Sequence, residues 1–189
     1  MDSKKTLKSI FRDSRSLKIV HNYSKVYAPL LEDSRLLPVR LLEVGVLEGF
    51  SLIAWAEFFP EGEITGLDTF ERVSLLDVKK RLGDSFRLVQ GDSSKPSPLL
   101  EGSEFDIIID DGDHSFESQL ATLETLWPLL RRGEGSRYFI EDVNLAKSRQ
   151  PAYEQLLLGV KSLDGDFIRH DLTSQTGRPD SCVISLHKD

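Results

Sequence analysis

The sequence predicts an α/β protein: one Rossmann-like, doubly wound, seven-stranded, mostly parallel sheet with helices on both faces. Three observations carry that reading. Short apolar runs alternate with stretches of helical periodicity over most of the chain. The runs "LLEV" and "DIIID" are almost continuously apolar, as strands covered on both faces must be. Two further runs, "GDFIRHDL" and "DSCVISLHK", follow one another at the end and read as a closing strand pair.

Each element has its own signal. Before residue 38 the pattern is helical, and in "SRSLKIVHNYSKVYAPLLED" Leu17, Val20, Tyr23 and Tyr27 recur at three- and four-residue steps, a one-face stripe. Pro38 resets the chain. "VRLLEVGV" is then the first strand and "SLIAWAEFF" a helix halted by Pro60. "EITGLDTF" (strand), "RVSLLDVKKRL" (helix) and "FRLVQGD" (strand) follow. Beyond the proline-rich loop "SSKPSP" come the strand "FDIIID" and the long helical stretch "HSFESQLATLETLWPLL", with Pro128 near its end. "SRYFIED" is the fifth strand and "AYEQLLLGV" the last long helix. Trp55 and Trp127 sit in apolar helical stretches and are expected in the core.

The 189 residues are expected to form a single domain, 1–189, with a helical segment over 1–37 and the Rossmann-like core over 38–189. Hydrophobic content of 39% with 29% charged residues is ordinary for a globular protein. A formal charge of −7 argues against a general electrostatic grip on nucleic acid or anionic lipid. No stretch has signal-peptide or membrane-spanning character. The one cysteine, Cys182, lies in the apolar run "SCVISL" and suits a strand core in a reducing cytoplasm. A cytoplasmic protein is the expectation.

In open sheets of this kind, ligands bind beyond the carboxyl ends of the strands. The first strand ends in "LEVGVLEGFSL", where Gly45 and Gly49 permit a sharp turn into a helix. The spacing is not the phosphate-gripping G-x-G-x-x-G, and Glu43 before the turn suits a cationic ammonium better than a pyrophosphate. A plain structural turn explains the glycines equally well. The second strand ends at Asp68, roughly 20 residues beyond the glycines, where a carboxylate can accept from both ribose hydroxyls of a nucleoside cofactor. The third ends at "GDSS", where Asp92 is either an adenine-side acceptor or a turn aspartate.

The fourth and fifth ends change the balance. "DDGDH" presents Asp110, Asp111 and His114, and "YFIEDV" presents Glu141 and Asp142. If the two strands are neighbours, about 4.8 Å apart, four carboxylates crowd one rim. Such a cluster needs a cation or bound protons, and oxygen-only ligation suits Mg²⁺. A polar turn capping the next helix accounts for "DDGDH" alone but not for its match with "IED".

With those motifs in place, the sequence resembles the class I S-adenosylmethionine-dependent methyltransferases, most closely the metal-dependent sugar O-methyltransferases of the macrocin and mycinamicin type. The resemblance runs from about His21 to Val143. It is carried by "LLEVGVLEGFSLIAW", "FFPEGEITGLDTF", "VQGDSS", "FDIIIDDGDHSFESQLATLETLWPLL" and "YFIEDV". It implies that Glu43, Gly45 and Gly49 hold the methionine end of the cofactor, Asp68 the ribose and Asp92 the adenine side, with Asp110 among the cofactor-binding positions. It further implies that Asp111, Glu141 and Asp142 bind Mg²⁺ and that His114 is the general base. The reaction implied is methyl transfer to a hydroxyl of a small molecule, a sugar among the candidates. Related enzymes also assemble, so a homo-oligomer is compatible with the resemblance.

Two departures stand out. The family usually carries a small polar residue where this chain has Asp113, and an added carboxylate there is expected to raise the pKa of His114. The stretch after Asp142 that remains to cover an acceptor is "NLAKSRQPAYEQ". Tyr23 and Tyr27 lie where related enzymes place aromatics over the cofactor, but core packing explains them more simply. His21, His170 and His187 have no ligand-like partners at useful spacing, and "RPDSC" carries no evident chemistry. Two rival functions are weighed: a non-catalytic cofactor-binding module that keeps the metal rim for stability, and a nicotinamide-dependent oxidoreductase. The oxidoreductase lacks its phosphate loop here and leaves both acidic clusters unexplained.

Overall fold

The computed structural model describes residues 4–188, so the outermost residues of the expected 1–189 unit lie outside the described residues. Seven strands form one sheet: β1 (Arg40–Val44), β2 (Glu63–Asp68), β3 (Arg87–Gln90), β4 (Ile107–Asp110), β5 (Arg137–Ile140), β6 (Asp166–Asp171) and β7 (Cys182–His187). Their order is β3-β2-β1-β4-β5-β7-β6. The first five strands run parallel, and β7 lies antiparallel between β5 and β6. The strand order reverses between β1 and β4, which places the ligand crevice of a doubly wound sheet at their carboxyl ends.

Alternation along the strands feeds two apolar layers. Leu41, Ile107, Ile109, Phe139 and Val183 pack with helices α1 (Leu7–Asp13), α2 (Ser24–Leu31), α3 (Phe50–Phe58) and α4 (Leu75–Leu82) on one face. Leu42, Ile108, Tyr138, Ile140 and Ile184 pack with α5 (Phe116–Leu126) and α6 (Gln150–Lys161) on the other. Every strand and helix named for residues 38–188 in the sequence has its counterpart, and both tryptophans are buried. Cys182 is buried and free. A single turn, α7 (Thr173–Thr176), joins β6 to the loop before β7. Among the described residues, no helix is long and apolar enough to cross a membrane.

The N-terminal stripe is where periodicity misleads. The stretch is not one helix: Arg15 and Asn22 take positive φ (65° and 59°), leaving a 3-10 turn over Leu17–Ile19 before α2. That break rotates the register. Leu17 and Val20, expected inside, are 67% and 43% exposed, whereas Lys18 between them is 2% exposed. Asparagine tolerates the left-handed region better than most residues, which locates the second break.

Candidate active site at the carboxyl ends of the strands

The rim is built from turns that lean on one another. At the end of β1, Gly45 has φ +84°, and a Cβ there would lie 1.9 Å from the carbonyl oxygen of Asp111. The close approach that requires glycine is therefore to the turn after β4. Gly49, φ +83°, is the N-cap of α3, where a Cβ would press on the Leu82 side chain at 3.0–3.2 Å. Asp68 ends β2 and braces the same turn: its Oδ2 accepts from the amides of Val46 (2.8 Å) and Leu47 (3.0 Å), and its Oδ1 from the amide of Phe70 (2.8 Å). These two turn amides, which a phosphate would need, already donate to a carboxylate. With both amides engaged, the turn offers no backbone cradle for a pyrophosphate.

Glu43 itself is fully buried. Its oxygens accept from Ser51 Oγ (2.6 Å) and Trp55 Nε1 (3.1 Å), and Oε1 lies 3.0 Å from Lys18 Nζ. Asp92 stands apart on the surface. It accepts from the Ser94 amide (3.0 Å) and hydroxyl (2.6 Å) and from Lys95 (2.6 Å); Lys95 first, then Ser94, pulls its pKa down to about 2. Those contacts make it a turn aspartate, with an adenine-side role left to be tested.

Asp110 is 2% exposed at the end of β4. Its Oδ1 accepts from the Gly112 amide at 3.3 Å, and Oδ2 has no hydrogen-bond partner in the protein. Burial pushes its pKa up to about 8. The next residues carry the cluster. Asp111, His114 and Asp142 each offer one ligand atom, and these atoms lie within 4.8 Å of one another. His114 Nε2 is 3.6 Å from Asp142 Oδ2, and the His114 side chain is 45% exposed. Asp113, beside it, turns away to the start of α5: its oxygens accept from the Ser115 amide (3.0 Å) and Ser118 hydroxyl (3.2 Å), while Ser115 is the N-cap. The Ser115 amide keeps the Asp113 carboxyl below the usual range. Asp113 braces the turn that leads into α5, beside the N-cap Ser115.

Glu141 lies apart from that group. It is 1% exposed, both its oxygens are 2.8 Å from Lys18 Nζ, and Oε1 also accepts from the Tyr27 hydroxyl. Its carbonyl accepts from Gln119 Nε2 at 2.9 Å. Lys18 Nζ reaches Asp111 Oδ2 as well, at 2.8 Å. Burial opposes the charge on Lys18, but Asp111, Glu141 and Glu43 together outweigh it and hold the ammonium well above its ordinary range. One ammonium does not balance three carboxylates, and burial keeps the Glu141 carboxyl raised, with Lys18 pulling against it.

Asp142 has φ +52°, rare for a non-glycine residue. Tyr23 holds it there: the Tyr23 hydroxyl lies 2.5 Å from Asp142 Oδ1 and 3.1 Å from the Asp142 amide. Burial, then the Asp111 charge, raises the Asp142 carboxyl, and the Tyr23 bond opposes that rise. His21 stacks on Tyr23 with ring centroids 5.1 Å apart. Its Nδ1 is 3.0 Å from the Ser181 hydroxyl and 3.6 Å from Asp142 Oδ1. The "RPDSC" turn thus backs the site through Ser181, and through Asp180, whose carbonyl accepts from Tyr23 at 3.2 Å.

Lys18, His21, Tyr23 and Tyr27 were missed as site residues. The tyrosine rings are core, as expected, but their hydroxyls serve the two carboxylates of "IED". A lysine in a polar, helical-looking stretch carries no local sign of burial. The nearest sequence signal was the placing of both tyrosines opposite the cofactor region.

A family profile described as a methyltransferase domain matches residues 42–141. The chain is 33% identical over 134 residues to 8-demethyl-8-(2-methoxy-alpha-L-rhamnosyl)-tetracenomycin-C 3'-O-methyltransferase of Streptomyces olivaceus, covering 65% of this chain and 32% of that protein. It is 32% identical over 135 residues to mycinamicin VI 2''-O-methyltransferase of Micromonospora griseorubida, covering 66% and 32%. The fold superposes on MycE, a methyltransferase of the mycinamycin biosynthetic pathway solved in complex with Mg and SAH. The TM-score is 0.74 at 24% identity, over 98% of this chain and 55% of that one. The chain spans between a third and a half of the length of the curated relatives it matches.

Proposed function

The chain belongs to the methyltransferase-domain family, and from that premise we propose that it transfers a methyl group from S-adenosylmethionine to a hydroxyl of a small molecule, a sugar hydroxyl being the favoured acceptor. The observation that carries this reading is the convergence of Asp111, His114 and Asp142 beside the acid-lined β1 turn. The names of the sugar O-methyltransferase relatives and the magnesium in the MycE complexes support it. The acidic balance of the chain favours a small acceptor over nucleic acid. The free, buried Cys182 is in keeping with a reducing, cytoplasmic setting. We read residues 1–189 as one unit, because the N-terminal segment sends Lys18, Tyr23 and Tyr27 into the site.

The donor set fits both ligands. Asp111 and Asp142 can hold a divalent cation with the His114 imidazole left free beside them, and the Asp68 carboxylate at the β1 turn suits the hydroxyls of a nucleoside better than a pyrophosphate. When bound, S-adenosylmethionine supplies the methyl group and Mg²⁺ supplies the charge that acidifies the acceptor hydroxyl. Asp111 and Asp142 hold the metal. His114, partly exposed, takes the hydroxyl proton on its imidazole. Asp68 receives the ribose hydroxyls while fixing the turn, and Gly45 and Gly49 keep that turn close to the β4 turn and α3. Tyr23 keeps Asp142 in its left-handed conformation, so the ligand direction is set before anything binds.

Calorimetric titration of the metal-free chain with S-adenosylmethionine, then Mg²⁺, repeated on Asp111→Ala, tests the reading. Cofactor binding with a magnesium signal lost in the variant supports it. Absence of cofactor binding rejects it. Methylation of a panel of hydroxylated acceptors, including glycosides, then names the acceptor class.

A further inference from the structure

We propose that Lys18 is a resident cation of this site that reserves Glu141, so that a divalent metal is held by Asp111 and Asp142, beside His114, without the Glu141 carboxylate. The proposal rests on the reading above that the rim takes a divalent cation. It departs from the oxygen set Asp111, Glu141 and Asp142 that the resemblance implies.

The coordination of Lys18 carries the argument. Its ammonium lies 2.8 Å from both oxygens of Glu141, 2.8 Å from Asp111 Oδ2 and 3.0 Å from Glu43 Oε1. Three N–H donors therefore face four carboxylate oxygens, with the side chain 2% exposed. Tyr27 adds a hydroxyl donor to Glu141 Oε1, and Gln119 fixes the Glu141 carbonyl. Glu141 is thus tied from both ends of the residue toward the interior. Asp142, the next residue, is turned the other way by its φ of +52° and by Tyr23, and it joins Asp111 and His114 on the open rim. A metal that recruited Glu141 would have to displace a buried ammonium from three carboxylates or lie against it. Two cations that close repel each other strongly in a site screened from water.

The same geometry gives Lys18 a second effect. By occupying Asp111 Oδ2, it leaves Asp111 one oxygen for the metal and lowers the negative potential that the metal feels. Removing the lysine is therefore expected to tighten metal binding, the opposite of what loss of a structural support does.

The test is titration of the 189-residue chain with Mn²⁺, followed by electron paramagnetic resonance, and with Mg²⁺, followed by calorimetry. The variants are Glu141→Gln, Asp111→Ala, Lys18→Met and Lys18→Met with Glu141→Gln. Glu141→Gln keeps an acceptor for Lys18 and is expected to change metal affinity less than about threefold, whereas Asp111→Ala weakens it at least tenfold or so. Lys18→Met is expected to tighten binding about tenfold or more, and the double variant to keep the part of that gain that comes from freeing Asp111. If Lys18→Met does not fold, Glu141→Gln decides alone. A loss in Glu141→Gln as large as that in Asp111→Ala overturns the proposal while leaving the metal-assisted transferase reading intact. So does unchanged or weaker binding in folded Lys18→Met. No metal binding by any of the chains overturns both the proposal and the metal reading, and the S-adenosylmethionine titration on the same sample then reports whether cofactor binding survives.

Discussion

A Cβ placed on Gly45 would sit 1.9 Å from the carbonyl oxygen of Asp111. The two turns that end the central strands β1 and β4 are thus in backbone contact, and the position of the acidic cluster depends on a missing side chain. Gly45→Ala has to move that backbone and also hold a φ of +84°. Expected destabilisation is about 3 kcal/mol, with loss of the metal response. Gly177→Ala is the control, since its φ of +72° and ψ of 7° are ordinary left-handed values and nothing lies within 4 Å; there only about 1 kcal/mol is expected. Urea melts of the two variants check the difference, and equal losses would reject the contact argument.

Tyr23→Phe keeps the buried ring and removes the hydroxyl 2.5 Å from Asp142. A hydrogen bond to a charged group contributes roughly 1.5–3 kcal/mol, and stability should fall by about that amount. That bond favours the ionised form of Asp142, so without it the carboxyl rises further and protons compete better with the metal. Magnesium affinity should therefore fall more at pH 6 than at pH 8. A uniform loss at both would mean that Tyr23 acts on packing alone.

Asp110 supplies a pH signature of the fold. Its folded pKa, about 8, lies above the unfolded value, so the native state binds the proton more tightly. The stability tied to the neutral carboxyl is fully present below about pH 4 and is lost as pH rises through about 8. Asp110→Asn keeps an acceptor for the Gly112 amide and cannot ionise. The variant should match the parent at pH 4 and exceed it at pH 9 by roughly 2–5 kcal/mol. Guanidine melts across that range would show parallel curves if the carboxyl were not buried as described.

Asp113→Ser restores the residue type that the resemblance leads one to expect. Because Asp113 only accepts from the Ser115 amide and the Ser118 hydroxyl in the turn before α5, the change should cost about 0.5–1 kcal/mol and leave Mg²⁺ affinity within about twofold. A larger shift in the pH dependence of methyl transfer than in stability would instead tie Asp113 to His114.

Most of the architecture was legible because it depends on local pattern. The run "FDIIID" can only be a covered strand, Pro60 and Pro128 stop helices wherever the chain goes, and the acids after β4 and β5 stand at strand ends by their place in the sequence alone. The neighbour relation of β4 and β5 follows from the usual order of such sheets and is what the structure has. The N-terminal helix failed for an equally local reason: periodicity assumes an unbroken helix, and positive φ at Arg15 and Asn22 resets the phase, which exchanged Leu17 for Lys18 on the buried side.

The choice among the carboxylates was beyond any reading of the chain. Which of Asp111, Glu141 and Asp142 face a ligand is set by partners 93 to 123 positions away in the N-terminal segment. The sequence by itself determined that carboxylates, an imidazole and a glycine turn would meet at the ends of the central strands. Only the tertiary structure decided that Lys18 and Tyr27 draw Glu141 inward while Tyr23 holds Asp142 outward. A charge's role depends on which opposite charge or donor is packed against it in a site without water, and packing between distant segments leaves no periodicity to read.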